Sequence, residues 1–174
     1  MLVRKLCLSS GKGEEYNLPL SCNLVDEMYP LYLNVVYRAK EFRTEPVPKS
    51  FFIASCDLKD IQTFATTIRD QQGKLLACII NFENNNILVP YYIGRDYSAN
   101  KEYNLYYNIL WETISTGVAR KKKVIDLGLT TYDIKKWLGA EIQPIKMFVR
   151  FKSNGVNKVL KYSLPMFLEV PPIQ

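Results

Sequence analysis

The acidic residue Asp126 stands inside the apolar run VIDLG, where the alternation of a buried strand would require an apolar side chain. A buried carboxylate is costly unless it is paired or hydrogen-bonded. It therefore either bonds to the turn that follows, at Thr130 or Thr131, or acts as a proton acceptor. We favour the first role. The surrounding segment, 94–144, contains the other residues whose types and spacing could do chemistry.

The residue types also exclude several kinds of site. The chain has no histidine, which excludes histidine-based triads and histidine-ligated zinc. No P-loop or Rossmann glycine pattern occurs. The cysteines form neither a CxxC pair nor a metal-finger spacing, so we expect no metal and predict reduced, mostly buried thiols at Cys7, Cys22, Cys56 and Cys78.

Composition is typical of a folded protein. The chain has 174 residues, 48% of them hydrophobic and 23% charged, which predicts one domain over residues 1–174 with a real core. The longest apolar run, Leu75 to Ile80, is too short to span a membrane, and we expect a cytoplasmic protein. The net charge of +6 weakly favours anionic partners.

Hydrophobic periodicity predicts a mixed α and β chain. Residues 23–42 have helical spacing and form one long helix or two short ones, depending on Pro30. A shorter helix follows near 50–58. Strands are predicted at 61–69, 73–82 and 86–93. Because the strand at 73–82 has apolar side chains on both of its faces, helices must cover both sides of the sheet.

Pro90 interrupts the third of these strands. Proline cannot donate to a strand ladder, so it marks either an ordinary edge or bulge position or a V-shaped opening in the sheet. The two explanations are equally good from the sequence. In the V-shaped alternative, a donor substrate could enter the opening.

The rest of the pattern predicts a long helix over 100–119, a strand at 123–128, a short helix from Tyr132 stopped by Gly139, and a strand at 145–151. Residues 156–162 fit a last strand or a helix equally well. The four cations at 120–123 are explained by the helix dipole and solvation.

This order of elements resembles the GNAT superfamily of N-acyltransferases. The segments GRD, YNLYYNILWETISTGVARKKKVIDLG and TTYDIKKWLGAEIQP resemble the Fem-type branch, whose members pass amino acids or acyl groups to amines. The resemblance implies an α/β (α+β) fold: a single GNAT-like domain with a mixed central sheet and helices on both faces.

The resemblance also implies a donor. Acetyl-coenzyme A members hold the pyrophosphate with a Q/R-x-x-G-x-G/A turn before the long helix, whereas residues 96–102 contain no glycine. The donor is therefore expected to be acyl-CoA or, in better agreement with this departure, aminoacyl-tRNA. Many Fem-type proteins have two such domains, so a second domain, either from a longer chain or from a partner, would complete this one.

Site residues follow from the same resemblance. Tyr132 matches the tyrosine that protonates the leaving group, and Lys135 matches a lysine that stabilises charge near the donor; a core tyrosine and a solvated lysine are the structural alternatives. Together with Asp126 they form the expected catalytic set. The donor is expected to bind between the Pro90 region and the 123–128 strand, at Val89, Tyr91, Asn100, Asn104 and Tyr107.

Two functions remain open at this point. One is N-acyl transfer to an amine. The other is a GNAT-like module without catalysis that binds an anionic partner such as RNA through a basic, tyrosine-rich surface.

Overall fold

A computed structural model of the chain describes residues 17–39, 45–58, 61–99, 103–129, 131–144 and 148–167. Within this part of the chain, the strands are β1 (Asn17–Pro19), β2 (Gln62–Arg69), β3 (Leu75–Glu83), β4 (Ile87–Arg95) and β5 (Val124–Ile125). The α-helices are α1 (Cys22–Arg38), α2 (Lys49–Ala54), α3 (Leu105–Ala119), α4 (Tyr132–Trp137) and α5 (Asn154–Phe167), and a 3-10 helix at Ser55–Asp57 follows α2.

The five strands form one mixed sheet in the order β1-β2-β3-β4-β5. The first four are antiparallel neighbours, while β5 pairs with β4 in parallel. This confirms the predicted mixed sheet and the three-strand meander. The short strand β1, which adds to the edge of β2, was not predicted.

The helices cover both faces of the sheet, as predicted. Helices α1 and α2 enclose one apolar core with side chains of β3 such as Cys78 and Ile80. The other core joins α3 to the opposite side chains of β3, including Leu76 and Ile79. Central strand β3 is therefore buried on both sides.

Helix α1 is continuous through Pro30, which settles the question of one helix or two. Ser21 caps its start by accepting a hydrogen bond from Leu24 N at 3.3 Å. Helix α3 begins later than predicted because Asn104 has left-handed dihedrals (φ 47, ψ 44) that a helix cannot continue through.

The predicted strand at 145–151 is wrong for residues 148–151, and residues 145–147 lie outside the described part. The N–H and the carbonyl of Phe151 each bond to the side chain of Asn157, at 2.8 Å, in place of a strand partner. The helical alternative for residues 156–162 is confirmed by α5.

The chain divides into two compact units, Met1–Ala140 and Glu141–Gln174. The sheet and helices α1 to α4 belong to the first, and α5 belongs to the second. The expectation of a single domain over residues 1–174 stays a prediction. No helix in the described ranges has the length and apolar character needed to cross a membrane.

Candidate active site

β4 and β5 are paired only over their first two residues. Ile87 lies opposite Val124 and Leu88 opposite Ile125, and Asp126 N donates to Leu88 O at 2.9 Å. β5 ends there, whereas β4 continues to Arg95. Beyond Leu88, no described strand pairs with β4 on this side, so the edge of β4 from Val89 to Arg95 is unpaired; we call this unpaired edge the β4–β5 gap.

Pro90 lies at the start of this gap, beside a β-bulge. Pro90 is opposite Asn81 of β3 and Tyr92 is opposite Ile80, so Tyr91 has no partner in the register. The carbonyl of Leu88 faces β5, and the residue two positions on would supply the next N–H to that ladder, which proline lacks. Proline and bulge together explain why the pairing with β5 stops here.

Gly117 of α3 sets the closed end of the gap. A Cβ atom added to Gly117 would lie 2.5 Å from Ile125 Cδ1 and 3.1 Å from Leu88 Cδ2. The missing side chain therefore lets α3 pack directly beneath the pair of residues where β4 and β5 still touch.

A buried acidic residue fixes the end of α3. Glu83, at the end of β3, is 4% exposed and forms ion pairs with Arg120 and, at 2.9 Å, with Lys122. Lys122 Nζ also donates to Asn84 O at 2.5 Å. Two of the four cations at 120–123 thus bind a specific buried carboxylate, which the helix-dipole explanation from the sequence missed.

The loop after β4 is organised by Asp96. Its carboxylate accepts hydrogen bonds from Ser98 N at 2.9 Å and Ser98 Oγ at 2.6 Å, and pairs with Lys74 Nζ at 2.9 Å. These bonds lower the pKa of Asp96 to about 2, and the largest contribution comes from the side-chain hydrogen bond of Ser98. The Ser98 N–H of this loop is therefore already bonded to a carboxylate of the protein itself.

Arginine and tyrosine side chains stack beside that loop. The guanidinium carbon of Arg95 lies 4.5 Å from the ring centre of Tyr97 and 5.1 Å from that of Tyr106. Arg38, the last residue of α1, lies 4.4 Å from the Tyr97 ring centre. Two guanidinium groups therefore contact the Tyr97 ring at the far end of β4.

The segment between β5 and α4 is held by its own side chains. Asp126 is exposed and accepts a hydrogen bond from Gly128 N at 2.8 Å. Lys135 is 7% exposed and its Nζ donates to Gly128 O at 2.9 Å and to Leu129 O at 3.1 Å. Burial lowers the pKa of Lys135, and the nearby charge of Asp126 partly opposes this.

Two expectations about this segment are resolved. The Asp126 carboxylate is exposed and bonds to Gly128 N, whereas burial and a bond to Thr130, which lies outside the described residues, or to Thr131 were expected. The reason is that β5 has two residues in place of the predicted six, so Asp126 lies just beyond the end of the strand. Lys135 is not a solvated helix lysine, because its ammonium group is buried against two carbonyls.

An aromatic cluster occupies the face of the sheet covered by α1 and α2. The ring of Tyr92 lies at its centre, 4.9 Å from Phe52 and 4.8 Å from Tyr91, the bulge residue. Burial raises the pKa of Tyr92, so its hydroxyl stays protonated near neutral pH. The other rings of the cluster are Tyr29, Tyr32, Phe51 and Phe82.

Comparison with known proteins gives no matching family model. A Mycobacterium tuberculosis protein provisionally named 8-amino-7-oxononanoate synthase 2 is 28% identical over 131 residues, which are 73% of this chain but only 17% of that protein. The chain thus spans a small part of the length of this relative.

Solved structures resemble the chain more completely. The BH1408 protein of Bacillus halodurans, in a mutant form, gives a TM-score of 0.57 at 15% identity, covering 78% of this chain and 98% of that one. A ribosomal-protein-alanine N-acetyltransferase of Brucella melitensis gives 0.55 at 12% identity, covering 78% and 99%. An aminoglycoside acetyltransferase from a soil metagenome, in complex with trehalose, gives 0.51 at 9%, covering 81% and 100%. The chain has the fold of the GNAT-type acetyltransferases.

Within this GNAT fold, the predicted donor-binding residues lie in two places. Val89 and Tyr91 line the β4–β5 gap, and Tyr91 is 64% exposed. Asn104 precedes α3 and its carbonyl accepts from Tyr107 N at 3.0 Å. Asn100 lies outside the described residues.

The predicted catalytic residues form a third group in the same GNAT fold. Asp126 and Lys135 both bond to Gly128, and Tyr132 is the first residue of α4, 40% exposed. Between described residues, no hydrogen bond, ion pair or ring contact links Tyr132 or Lys135 to β4. Their roles in catalysis stay predictions.

Among the described residues, no three Cys, Asp or Glu side chains lie together in a way that could hold a metal ion.

Proposed function

We propose that this protein transfers an acyl group from an activated donor to an amine. The β4–β5 gap carries the proposal: β4 continues for seven residues beyond its pairing with β5, next to a bulge at Tyr91. An extended acyl-bearing arm could lie along the unpaired edge of β4 and receive main-chain hydrogen bonds, as an added strand would. Backbone N–H groups at the bulge would then hold the carbonyl oxygen as it becomes an oxyanion.

The donor we favour is an acyl-coenzyme A, because several structural neighbours are named acetyltransferases. The Asp96 carboxylate argues for weak binding of its pyrophosphate, since it occupies Ser98 N and adds a negative charge. We therefore expect acetyl-coenzyme A to bind in the high micromolar range, about 5 to 6 kcal/mol. An aminoacyl-tRNA donor, as in the Fem-type branch, is the alternative for the same gap.

The site residues receive roles in this proposal. Tyr132, exposed at the start of α4, would protonate the leaving group. Lys135 and Asp126 would act indirectly, by fixing the loop between β5 and α4 through Gly128. Val89 and Tyr91 would contact the donor arm, and Asn104 and Tyr107 would form the wall contributed by the start of α3.

Calorimetry with acetyl-coenzyme A, followed by mass spectrometry of its mixtures with kanamycin, spermidine and an alanine-initiated peptide, tests this proposal. An acetylated product is expected for at least one amine. Tyr132→Phe should reduce the rate by roughly 100 to 10,000-fold and leave the melting temperature unchanged. Tyr37→Phe is the control, since it removes the hydroxyl of an exposed tyrosine of α1 to which the proposal gives no role.

The proposal fails if neither acetyl-coenzyme A nor an aminoacyl-tRNA gives a product with any amine tested. Binding of acetyl-coenzyme A below 1 µM, on the order of 8 kcal/mol or tighter, would contradict the role given to Asp96 and leave acyl transfer standing.

One observation favours a second function, a non-catalytic module that binds an anionic partner such as RNA. Lys135 and Asp126 are both engaged by the protein itself, and exposed cations remain at the end of β4 and after α3. Gel-shift titration with tRNA at increasing salt would support it if binding weakens steeply with salt and Lys121→Glu with Lys123→Glu abolishes it. Equal binding of the variant would reject it.

A further inference from the structure

Two cysteines that are distant in sequence meet at the packed ends of α1 and α2. Cys22 is the first residue of α1 and is exposed. Cys56 lies in the 3-10 helix that continues α2 and is half-buried. The Cys22 thiol lies close enough to the Cys56 thiol to act on it electrostatically.

The packing of the two helices explains this contact. Cys22 and Tyr29 are seven residues apart and so lie on one face of α1, while Phe52 and Cys56 are four apart on one face of α2 and its extension. The rings of Tyr29 and Phe52 are 5.8 Å apart. The same two faces that bring these rings together bring the two thiols together.

The two thiols differ in accessibility. Cys56 donates to Phe52 O at 3.5 Å, and burial, followed by the neighbouring Cys22 and Asp57, raises the pKa of its thiol. Cys22 is exposed to solvent. Among the described contacts, its thiol has no hydrogen bond to a main-chain carbonyl like that of Cys56. An oxidant in solution therefore reaches Cys22 first. The expectation of mostly buried cysteines holds for Cys78, which is 1% exposed, but not for Cys22.

We propose that Cys22 and Cys56 are a thiol–disulfide modification site in which Cys22 reacts with a small-molecule disulfide and Cys56 resolves the product. The Cys22 thiolate attacks one sulfur of the small disulfide, forming a mixed disulfide and releasing one small thiolate. Cys56 then loses its proton and attacks the Cys22 sulfur, which releases the second small thiol. Two electrons pass from the protein thiols to the small disulfide, and two protons are released to solvent or taken up by the departing thiolates.

The crosslink would join the start of α1 to the end of α2. The closed loop runs from residue 22 to residue 56 and contains both helices that cover the aromatic face of the sheet. Phe52 of this loop contacts Tyr92, which follows the bulge in β4. Oxidation would therefore stiffen the cover beside the β4–β5 gap, and we expect the melting temperature to rise by roughly 5 to 10 °C.

The experiment uses the full chain, fully reduced, desalted and then incubated with excess oxidised glutathione. Intact mass should fall by about 2 Da, the loss of two hydrogens, and peptide mapping should find a Cys22–Cys56 crosslink. Cys56→Ser should instead accumulate a glutathione adduct on Cys22, whereas Cys22→Ser should stay largely unmodified at position 56. Cys7→Ser, the matched control, should still form the crosslink.

Three results would overturn the proposal. One is a wild-type protein that keeps both thiols in excess oxidised glutathione. Another is a stable glutathione adduct on wild-type Cys22 that never closes. The third is an internal disulfide that persists in Cys22→Ser. Peptide mapping of the wild-type chain decides the matter even where a variant fails to fold.

Discussion

Replacing Asp96 by asparagine tests how the loop after β4 is held. Asparagine has the same shape and can still accept from Ser98 N, but it carries no charge. The pKa of Asp96 falls from 3.8 to about 2, a difference of about 1.8. At about 1.36 kcal/mol for each pKa unit, the charge contributes at most about 2.4 kcal/mol to the free energy of unfolding at neutral pH. Because Lys74 is 64% exposed, most of this belongs to the bonds from Ser98.

The pH dependence has a definite direction. A depressed carboxyl pKa stabilises the folded state above 3.8 and loses that contribution as pH falls toward about 2. Urea unfolding of both proteins should therefore give a difference of at most about 2.4 kcal/mol at pH 7 and about half of it at pH 3. Asp26→Asn, whose ion pair with Lys49 is 59% and 42% exposed, should cost under about 1 kcal/mol.

The same substitution has a consequence for ligand binding. Removing the charge weakens the competition for Ser98 N, so coenzyme A should bind several-fold more tightly to Asp96→Asn in calorimetry. A stability difference that is identical at pH 7 and pH 3 would refute the electrostatic reasoning. Unchanged coenzyme A affinity would refute the placement of the pyrophosphate at this loop.

Three further substitutions test other parts of the fold by urea unfolding. Gly94→Ala should cost about 1 to 3 kcal/mol, because a Cβ would lie 2.7 Å and 2.8 Å from backbone atoms of α1; Gly73→Ala, with open space but φ +83, should cost only about 1. Glu83→Gln should cost about 3 kcal/mol, because Arg120 and Lys122 lose the charge of their buried partner, and a loss under about 1 kcal/mol would contradict the importance of these ion pairs. Lys135→Met should cost about 1 to 3 kcal/mol by leaving two carbonyls unpaired, and an unchanged stability would return this lysine to a purely catalytic role.

The sequence predicted the elements whose periodicity is strong and local. Strands β2, β3 and β4 and helix α3 have long apolar patterns, and their positions agree within a few residues. Residues 148–151 are apolar except for Arg150 but form no strand, because Asn157 bonds to the main-chain groups of Phe151. The pattern of a short segment does not determine which hydrogen-bond partners its main-chain groups take in the folded protein.

Some features of the candidate site could likewise be predicted from the sequence, and others could not. Pro90 predicted either a bulge or an opening, because proline acts on its own strand, and a bulge lies beside it. The bonds of Lys135 to two backbone carbonyls depend on how the loop after β5 folds, and the pair of Glu83 with Arg120 joins residues 37 apart in sequence. The spacing of residues along the sequence does not reveal such contacts, so the ion pair of Glu83 with Arg120 was not predicted.

The short pairing of β5 has a consequence for how the molecule folds and opens. The β3–β4 turn is local, since Asn84 Oδ1 accepts from Asn86 N and Ile87 N at 2.9 Å, and such hairpins close early in folding. β5 reaches β4 only after the chain has passed through α3, and two residues hold it there. β5 should therefore join the sheet after β2, β3 and β4 have paired. It should also detach first, in local openings that leave the pairing of those three strands intact. The pairing of β5 with β4 should therefore open and close within the folded protein. Amide exchange rates at Val124 and Asp126 would measure how often it opens.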